Sequence, residues 1–497
     1  MSSYYILYAE FFSAINALCS IMIDFLCFYL YNKHTLKIFK VKRGNIMFTY
    51  IKLKNYKSFD DITIDLSDKN GNPKKLVIIY GENAAGKTNI ASTFYFLSQL
   101  LRSMNIRDVI QNFLLNGNNS DNNLINLLKE QRYIHDVELL IKDSKTINSI
   151  DPMYIEYGFS INNKKGCYII ETNNNQIIHE KLEYTLIKNK GIYFDLTPSS
   201  CKISKQISKS PAVYDEIKSG YNKFWGKHCM LSIINHEIID KSENYIENQL
   251  NDNFKILLEA LLDISVKGKI THGHETGGLS YESKLATDLS DGFIKDNEIN
   301  QLKAIEKSLK EFFPLINPDI VDVNYILENS NNSISYSLYF TKYISGQIKR
   351  IPYYLESNGI QQILEILPFL YNSTRGLVTV IDEFDLGIHP RLNQILISDL
   401  IPEINGQLIL TAHDVSLLDT MKSGISNDSI YMIYRTDKFG NREIKCLTKI
   451  DSNLNSKSNI SKQYLSGKFN NPDNNYYFTN EAKINYKDIF NTFKRLK

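Results

Sequence analysis

The sequence predicts an α/β fold with a doubly wound, mainly parallel β-sheet, accompanied by an antiparallel β lobe and an inserted α-rich region. Strand and helix patterns alternate between Leu355 and Met421, which is typical of parallel strands joined by crossover helices. Leu76–Tyr80 is a short apolar run, as expected for a parallel strand that is buried on both faces. A glycine-rich segment follows this run directly, and apolar residues then recur at helical spacing from Asn89 to Ser103.

The length of 497 residues is enough for about three domain-sized units. Charged residues make up 23% and hydrophobic residues 43%, which is typical of a folded globular chain and excludes a largely disordered one. We place the boundaries by pattern changes. The predicted units are an apolar extension (1–46), the first half of the α/β domain (47–103), an inserted antiparallel β and helical region (104–345), the second half of the α/β domain (346–450) and a basic tail (451–497).

Local patterns predict the individual elements. Met47–Leu66 is read as two strands joined by a turn, and no heptad repeat persists in the inserted region, which excludes long coiled-coil arms. Further strands are predicted at Asp136–Leu140, Tyr154–Ile161, Cys167–Thr172, Lys181–Leu186, Leu377–Ile381 and Gln407–Leu410, with a hairpin formed by Ile320–Leu327 and Ser333–Thr341. Helices are predicted at Asn244–Ile264, Asn297–Phe313, Ile360–Tyr371, Arg391–Leu400 and Val415–Met421.

The first 46 residues allow three interpretations. Tyr4–Tyr31 is almost continuously apolar and long enough to span a bilayer, and basic residues follow it. Glu10 and Asp24 lie inside this stretch, where each would cost about 2.5 to 3.5 kcal/mol at the centre of a membrane. The codons for residues 42–46 can contain a ribosome-binding sequence, and a strand pattern begins at once at Met47. We favour a start at Met47 over a membrane anchor or a peripheral helix.

Charge and cysteine usage narrow the classes of function. There are 57 Lys and Arg against 55 Asp and Glu, so the formal charge of +2 lacks the excess of a dedicated nucleic-acid-binding protein. The basic tail is either a solvated surface or a docking strip for a partner or nucleic acid. The six cysteines have no CxxC spacing, which argues against a disulfide framework or a zinc ribbon. We therefore expect a cytoplasmic protein and do not expect membrane attachment.

The glycine-rich segment Gly81–Thr88 fits the phosphate-loop pattern GxxxxGK[ST] in full and lies between a predicted strand and a predicted helix. In such loops the backbone N–H groups surround nucleotide phosphates at the start of the helix. Lys87 is expected to reach the β- and γ-phosphates, and Thr88 to give its hydroxyl to Mg²⁺. The predicted nucleotide-binding residues here are Gly81, Glu82, Asn83, Ala84, Ala85, Gly86, Lys87, Thr88 and Asn89.

A second motif consists of Asp382 and Glu383, which directly follow the apolar predicted strand Leu377–Ile381. Asp382 can orient the ligands of Mg²⁺, and Glu383 can polarise the attacking water. Taken alone, the two acids could also be the N-cap of a helix after a core strand. His413 ends another apolar strand, where its imidazole could contact the γ-phosphate. We therefore predict Lys87, Glu383 and His413 as catalytic residues, with ATP and Mg²⁺ as cofactors.

These motifs resemble the ATP-binding-cassette (ABC) class of phosphate-loop NTPases, in the soluble branch that includes SMC, RecF and OLD-type proteins. GENAAGKTN resembles the phosphate loop of that branch, IDEFDLGIHP its Walker B motif and D-loop, and LTAHD its switch histidine. Ser357 and Gly359 resemble a degenerate S-x-G signature, although the full LSGGQ sequence is absent and no Q-loop glutamine can be placed. The resemblance implies a homodimer or higher homo-oligomer in which the signature of one subunit closes over ATP held by the other.

The tail NISKQYLSGKFNNP is similar to the ends of stand-alone bacterial abortive-infection ATPases of the AbiL and PARIS type. This resemblance implies a Mg²⁺-dependent ATPase that acts as a sensor or switch in anti-phage defence, with a separate effector protein encoded nearby. A RecF-like ATPase of DNA repair is the alternative, and it predicts a basic groove and turnover stimulated by DNA. A transporter subunit would need a standard signature and a Q-loop.

Overall fold

The computed structural model describes residues 44–105, 107–108, 137–239, 249–271, 274–278, 288–330, 333–419, 423–437, 440–454 and 458–469. The strands are β1 Ile46–Tyr56, β2 Phe59–Asp65, β3 Leu76–Gly81, β4 Met153–Ile161, β5 Lys164–Thr172, β6 Ile177–Thr185, β7 Lys190–Thr197, β8 Ser200–Ile203, β9 Ser265–Thr271, β10 His274–Gly278, β11 Asp291–Ile294, β12 Ile320–Ser330, β13 Ser333–Ile344, β14 Gln347–Pro352, β15 Val378–Ile381, β16 Gln407–Thr411, β17 Ile430–Arg435 and β18 Arg442–Cys446. The helices are α1 Lys87–Leu101, α2 Val137–Ser144, α3 Pro211–Phe224, α4 Met230–Ile239, α5 Asp252–Leu262, α6 Ile299–Ile316, α7 Asn358–Thr374, α8 Pro390–Leu400, α9 Leu447–Ile450 and α10 Ile460–Leu465.

A seven-stranded, mainly parallel sheet with the order β10-β9-β15-β16-β3-β17-β18 forms the centre of the molecule. Its five inner strands are parallel, and β10 and β18 are antiparallel edges. All six residues of β3 are buried, because Val77 and Ile79 face one hydrophobic core while Ile78 and Tyr80 face the other. Helix α1 fills the first core, and α7 and α8 contribute to the second. The predicted doubly wound α/β fold is confirmed.

A second sheet of seven antiparallel strands, in the order β2-β1-β4-β5-β6-β7-β8, covers α1. The Tyr157 hydroxyl of β4 donates a hydrogen bond to the Thr93 carbonyl oxygen in α1 at 2.6 Å. The Gln407 side chain joins the two sheets, because its amide exchanges two hydrogen bonds with the Phe48 backbone and donates a third to the Lys74 carbonyl oxygen, at 2.8 to 2.9 Å. The antiparallel lobe is thus fixed to the phosphate-loop helix and to the parallel sheet.

A small sheet consists of β11, β13 and β12, with β14 also paired to β13. Helix α6 packs on one of its faces, where the rings of Phe313 and Phe340 meet edge to face at 5.0 Å between centroids. Residues 104–345 therefore contribute strands to all three sheets, since β9 lies in the parallel sheet. The domain boundaries themselves remain a prediction.

Most of the predicted elements are present, with four differences. The predicted strand at Asp136–Leu140 is wrong, because helix α2 occupies Val137–Ser144 and buries Val137, Leu140 and Ile141 at helical spacing. The predicted helix Val415–Met421 has a 3-10 turn over Val415–Leu418, and its residues 420 and 421 lie outside the described part.

The predicted helix Asn244–Ile264 begins only at Asp252, and its residues 244–248 lie outside the described part. The strand expected at Lys181–Leu186 is longer and shifted, at Ile177–Thr185.

The predictions for residues 1–43 and for the tail beyond residue 469 lie outside the described residues. Within the ranges that the structure covers, no helix combines the length and the apolar character that a membrane crossing needs.

Candidate functional site

The phosphate loop connects the end of β3 to the start of α1, and its shape depends on two residues with a left-handed backbone. Ala84 has φ +62° and Gly86 has φ +112°, and the Ala85 N–H donates to the Glu82 carbonyl oxygen at 3.1 Å. A Cβ atom at Gly86 would lie 2.7 Å from the Phe59 ring. Glycine is therefore required at position 86 both for its backbone angle and for the space beside Phe59.

Lys87 is almost fully buried at the base of this loop, with 6% of its surface exposed. Its Nζ donates to the carbonyl oxygens of Gly81 at 2.7 Å and Glu82 at 3.3 Å. Burial lowers the pKa of Lys87. Nearby carboxylates, of which that of Asp382 has the largest effect, oppose this decrease. The ammonium group therefore lies within electrostatic range of the acids that follow β15, two strands away in the sheet.

Asp382 and Glu383 follow β15, and the Thr411 hydroxyl at the end of β16 links them. Thr411 Oγ1 donates to Asp382 Oδ1 at 2.5 Å and accepts a hydrogen bond from the Glu383 N–H at 2.9 Å. Glu383 has φ +51°, a left-handed angle that is costly for a residue with a long side chain. The hydrogen bond to Thr411 therefore helps to hold Glu383 in an unfavourable backbone conformation.

The second carboxylate oxygen of Asp382 distinguishes a binding site from a structural cap. Asp382 is 5% exposed, and its Oδ2 atom is buried without a hydrogen-bond partner among the described residues. A buried oxygen of a carboxylate is costly when it is unsatisfied. Thr88 begins the same helix turn as Lys87 and carries a hydroxyl. Carboxylate and hydroxyl oxygens are ligands that Mg²⁺ takes, so the available donors fit this ion.

Asp385 holds the loop that carries His413. Its Oδ2 accepts the backbone N–H of His413 at 2.7 Å and also the N–H of Asp414. The Asp414 carbonyl oxygen in turn accepts the Tyr80 hydroxyl at 2.9 Å. The His413 side chain is exposed. The backbone of this loop is thus fixed by the segment after β15, while the imidazole stays accessible.

Ser357 and Gly359 lie at the start of α7. Ser357 is the exposed N-cap residue of α7. A Cβ atom at Gly359 would lie 2.7 Å from the Gly387 carbonyl oxygen, so glycine permits α7 to approach the segment after Asp385. No hydrogen bond between described residues joins Ser357 or Gly359 to Gly81–Thr88 of the same chain.

Three residues beside the site were missed by the sequence reasoning. Thr411 lies in LILTAHD, and its position at the end of an apolar strand could have indicated a place in the site. Lys57, in the turn after β1, has a pKa lowered by burial and is close enough to Asp382 for their charges to interact. Arg442 donates to the Ala84 carbonyl oxygen at 3.3 Å. Nothing in the local sequence around Arg442 indicates this contact.

The fold and the site together define a class. Three groups lie where parallel strands of the sheet end: the phosphate loop follows β3, the two acids follow β15, and the histidine follows β16. ATPases of the ABC type have the same arrangement. Residues 76–419 match the family described as "AAA domain, putative AbiEii toxin, Type IV TA system", and the chain belongs to that family.

The chain is also similar to the DNA replication and repair protein RecF of Clostridium kluyveri, with 26% identity over 293 residues that cover 55% of this chain and 73% of the relative. Together with the family match, this relative supports the predicted SMC/RecF-like ABC class.

Among solved structures the chain is similar to SMC heads, including the following two. The first is an Smc head bound to the C-winged helix domain of ScpA, with TM-score 0.41, 13% identity and coverage of 82% of this chain and 99% of that chain. The second is the SMC head domain from Thermotoga maritima, with TM-score 0.34, 12% identity and coverage of 80% and 98%.

Proposed function

We propose that this protein is a Mg²⁺-dependent ATPase that hydrolyses ATP between two subunits and acts as a switch in anti-phage defence. The main support for hydrolysis is the edge of the parallel sheet where the Lys87 ammonium interacts electrostatically with Asp382 and Glu383. Such an arrangement brings a phosphate-binding cation and two carboxylates to one place.

In this proposal Lys87 exchanges its hydrogen bonds to the loop for contacts with the β- and γ-phosphates. Thr88 and Asp382 would hold Mg²⁺, and the ion would neutralise charge on the phosphates. Glu383 orients the attacking water, and the exposed His413 imidazole contacts the γ-phosphate. The N–H groups at the start of α1 have no intrahelical acceptors and can surround the phosphates.

Two substitutions test these roles. Lys87→Ala should abolish ATP binding and turnover, because it removes the phosphate contact. Glu383→Gln should bind ATP but hydrolyse it at least about a hundredfold more slowly, since only the alignment of water is lost. Binding of a fluorescent ATP analogue and phosphate release would be measured for both proteins. Turnover at the wild-type rate in Glu383→Gln would show that this acid has been misassigned.

We further propose that Ser357 and Gly359 of one subunit close over ATP held by a second. The exposure of Ser357 at the start of α7, and the lack of any hydrogen bond between described residues that joins it to the phosphate loop of the same chain, support this arrangement. Ser357→Arg should prevent ATP-driven dimerisation while ATP still binds. Mixing Ser357→Arg with Lys87→Ala subunits should restore one intact composite site per heterodimer, and a mixture without recovered activity would argue against sharing in trans.

The defence role rests on the family description, which names a putative AbiEii toxin of a type IV TA system. We propose that this chain is the ATP-dependent switch and that a separate protein encoded nearby is the effector. Expression of the chain alone should neither harm the host nor reduce phage plaques, and both properties should change when the neighbouring gene is present. Nuclease activity of the purified chain, lost on mutating acids other than Asp382 and Glu383, would refute the division of roles.

The similarity to RecF supports a second candidate, an ATPase of DNA repair. That function predicts that double-stranded DNA stimulates turnover in a salt-dependent manner. Measuring phosphate release with and without DNA at two salt concentrations distinguishes the two candidates.

A further inference from the structure

A buried ion pair joins the small sheet to the segment just before Ser357. Lys342 of β13 places its Nζ 3.0 Å and 3.1 Å from the two carboxylate oxygens of Glu356. The Glu356 side chain is 1% exposed and that of Lys342 is 15% exposed. Because charges this well buried are costly unless they are paired, removal of either partner leaves the other in an unfavourable state.

Glu356 also shapes the start of α7. Its Oε2 accepts the Ser357 N–H at 3.1 Å, and its carbonyl oxygen accepts the Gln361 side chain at 2.9 Å. The same carboxylate therefore contacts Lys342 on the small sheet and the backbone of Ser357. A movement of β13 relative to α7 would have to break one of these two interactions or carry Ser357 with it.

The end of the small sheet that leads to this pair is exposed. β13 and β14 meet in a turn where Tyr343 pairs with Ile348, and these side chains are 54% and 60% exposed. β14 then leads through a 3-10 turn at Tyr353–Leu355 directly to Glu356. Lys342 directly precedes Tyr343, so this exposed end of the sheet adjoins the pair.

The start of α7 is in turn packed on the segment that controls His413. Gly359 lies against the Gly387 carbonyl oxygen, and Asp385, two residues before Gly387, accepts the His413 N–H. The small sheet is thus connected through successive contacts to the exposed Ser357 and to the segment that holds the His413 loop.

We propose that Lys342 and Glu356 are positioning residues through which the small sheet sets the conformation of Ser357 and so controls closure of the composite ATP site. The inference rests on the proposed ATP-driven dimer. The phosphate loop of the same chain is expected to bind ATP independently of the pair.

The test compares three substitutions in the full chain. Lys342→Met breaks the pair, Lys342→Arg keeps it, and Lys310→Met is the control, because Lys310 forms an exposed pair with Asp322 on the same sheet. Lys342→Met should lower both turnover and ATP-driven dimerisation by about tenfold. Dimerisation is measured by light scattering in a Glu383→Gln background. Affinity of the monomer for a fluorescent ATP analogue should change by less than about twofold. Lys342→Arg and Lys310→Met should behave like wild type.

A second variant separates coupling from misfolding. Lys342→Met combined with Glu356→Gln leaves no unpaired buried charge, so it should fold, as judged by circular dichroism, and still lose dimerisation. Dimerisation of the folded double variant at the wild-type level, or equal behaviour of Lys342→Met and Lys310→Met, would overturn the coupling. Absence of ATP-driven dimerisation in the unsubstituted protein would instead overturn the proposed function on which the coupling depends.

Discussion

Replacement of Thr411 by valine should disconnect the two acids that follow β15. The side chain is fully buried, and valine keeps its shape while it removes the hydroxyl. Two interactions are lost, the bond donated to Asp382 Oδ1 and the bond accepted from the Glu383 N–H. Asp382 then has no partner for either carboxylate oxygen among these hydrogen bonds, because its Oδ2 already lacks one within the described residues.

The expected magnitude follows from these two bonds. A hydrogen bond to a charged carboxylate is worth about 1.5 to 3 kcal/mol, and a buried N–H left without an acceptor costs about 1 to 3 kcal/mol. Thr411→Val should therefore lower the free energy of unfolding by about 3 kcal/mol. The ATP turnover rate should fall by more than the loss of folded protein accounts for. The reason is that Glu383, at φ +51°, loses the hydrogen bond that holds its backbone.

Urea unfolding and phosphate release at saturating ATP and Mg²⁺ measure the two effects separately. Thr411→Ser is the matched control, because it retains the hydroxyl and should keep most of both the stability and the turnover. If Thr411→Val turns over ATP as fast as Thr411→Ser at a temperature where both are folded, the hydroxyl does not position Glu383.

Two further predictions concern the loop and the antiparallel lobe. Gly86→Ala should destabilise the protein by at least about 1 kcal/mol and weaken ATP binding, because φ is +112° and the new Cβ would meet the Phe59 ring. An unchanged affinity for ATP and an unchanged melting temperature would contradict this account. Burial raises the pKa of the Glu180 carboxyl from 4.5 to about 7, so the folded protein binds a proton that the unfolded chain releases. The free energy of unfolding should therefore fall by about 3 kcal/mol as the pH rises through this interval. Urea titrations at several pH values should show this fall for the wild type but not for Glu180→Gln. The same dependence on pH in both proteins would exclude Glu180 as the source.

The order of elements around the site was predictable because it depends on local patterns. The apolar run before Gly81 and the helical spacing after Lys87 fix a strand, a loop and a helix within one segment, and the structure contains all three. The errors occur in short segments. Val137–Ser144 has apolar residues three and four apart, yet its eight residues are short enough to be mistaken for a strand. The segment from Val415 to Leu418 is a 3-10 turn and not the start of an α-helix, which its apolar residues alone do not indicate.

The contacts that support the site could not be predicted, because they join distant parts of the chain. Arg442 and Ala84 are 358 residues apart, and Gln407 and Phe48 are 359 residues apart. In both pairs a polar side chain binds a backbone group, so neither partner shows a complementary residue type in the sequence. Motifs report which groups are present, whereas the tertiary fold decides which backbone groups these side chains reach.

The distribution of buried polar groups gives a physical basis for the proposed coupling of ATP binding to dimer closure in this chain. Apolar packing is nondirectional and tolerates small shifts, whereas a buried carboxylate that accepts a specific N–H loses much of its interaction when the donor moves. Asp385 holds the His413 loop in this way, and Glu356 holds Ser357. Each carboxylate makes one local conformation the favoured one. A ligand can therefore shift the molecule between discrete arrangements by its different affinity for them.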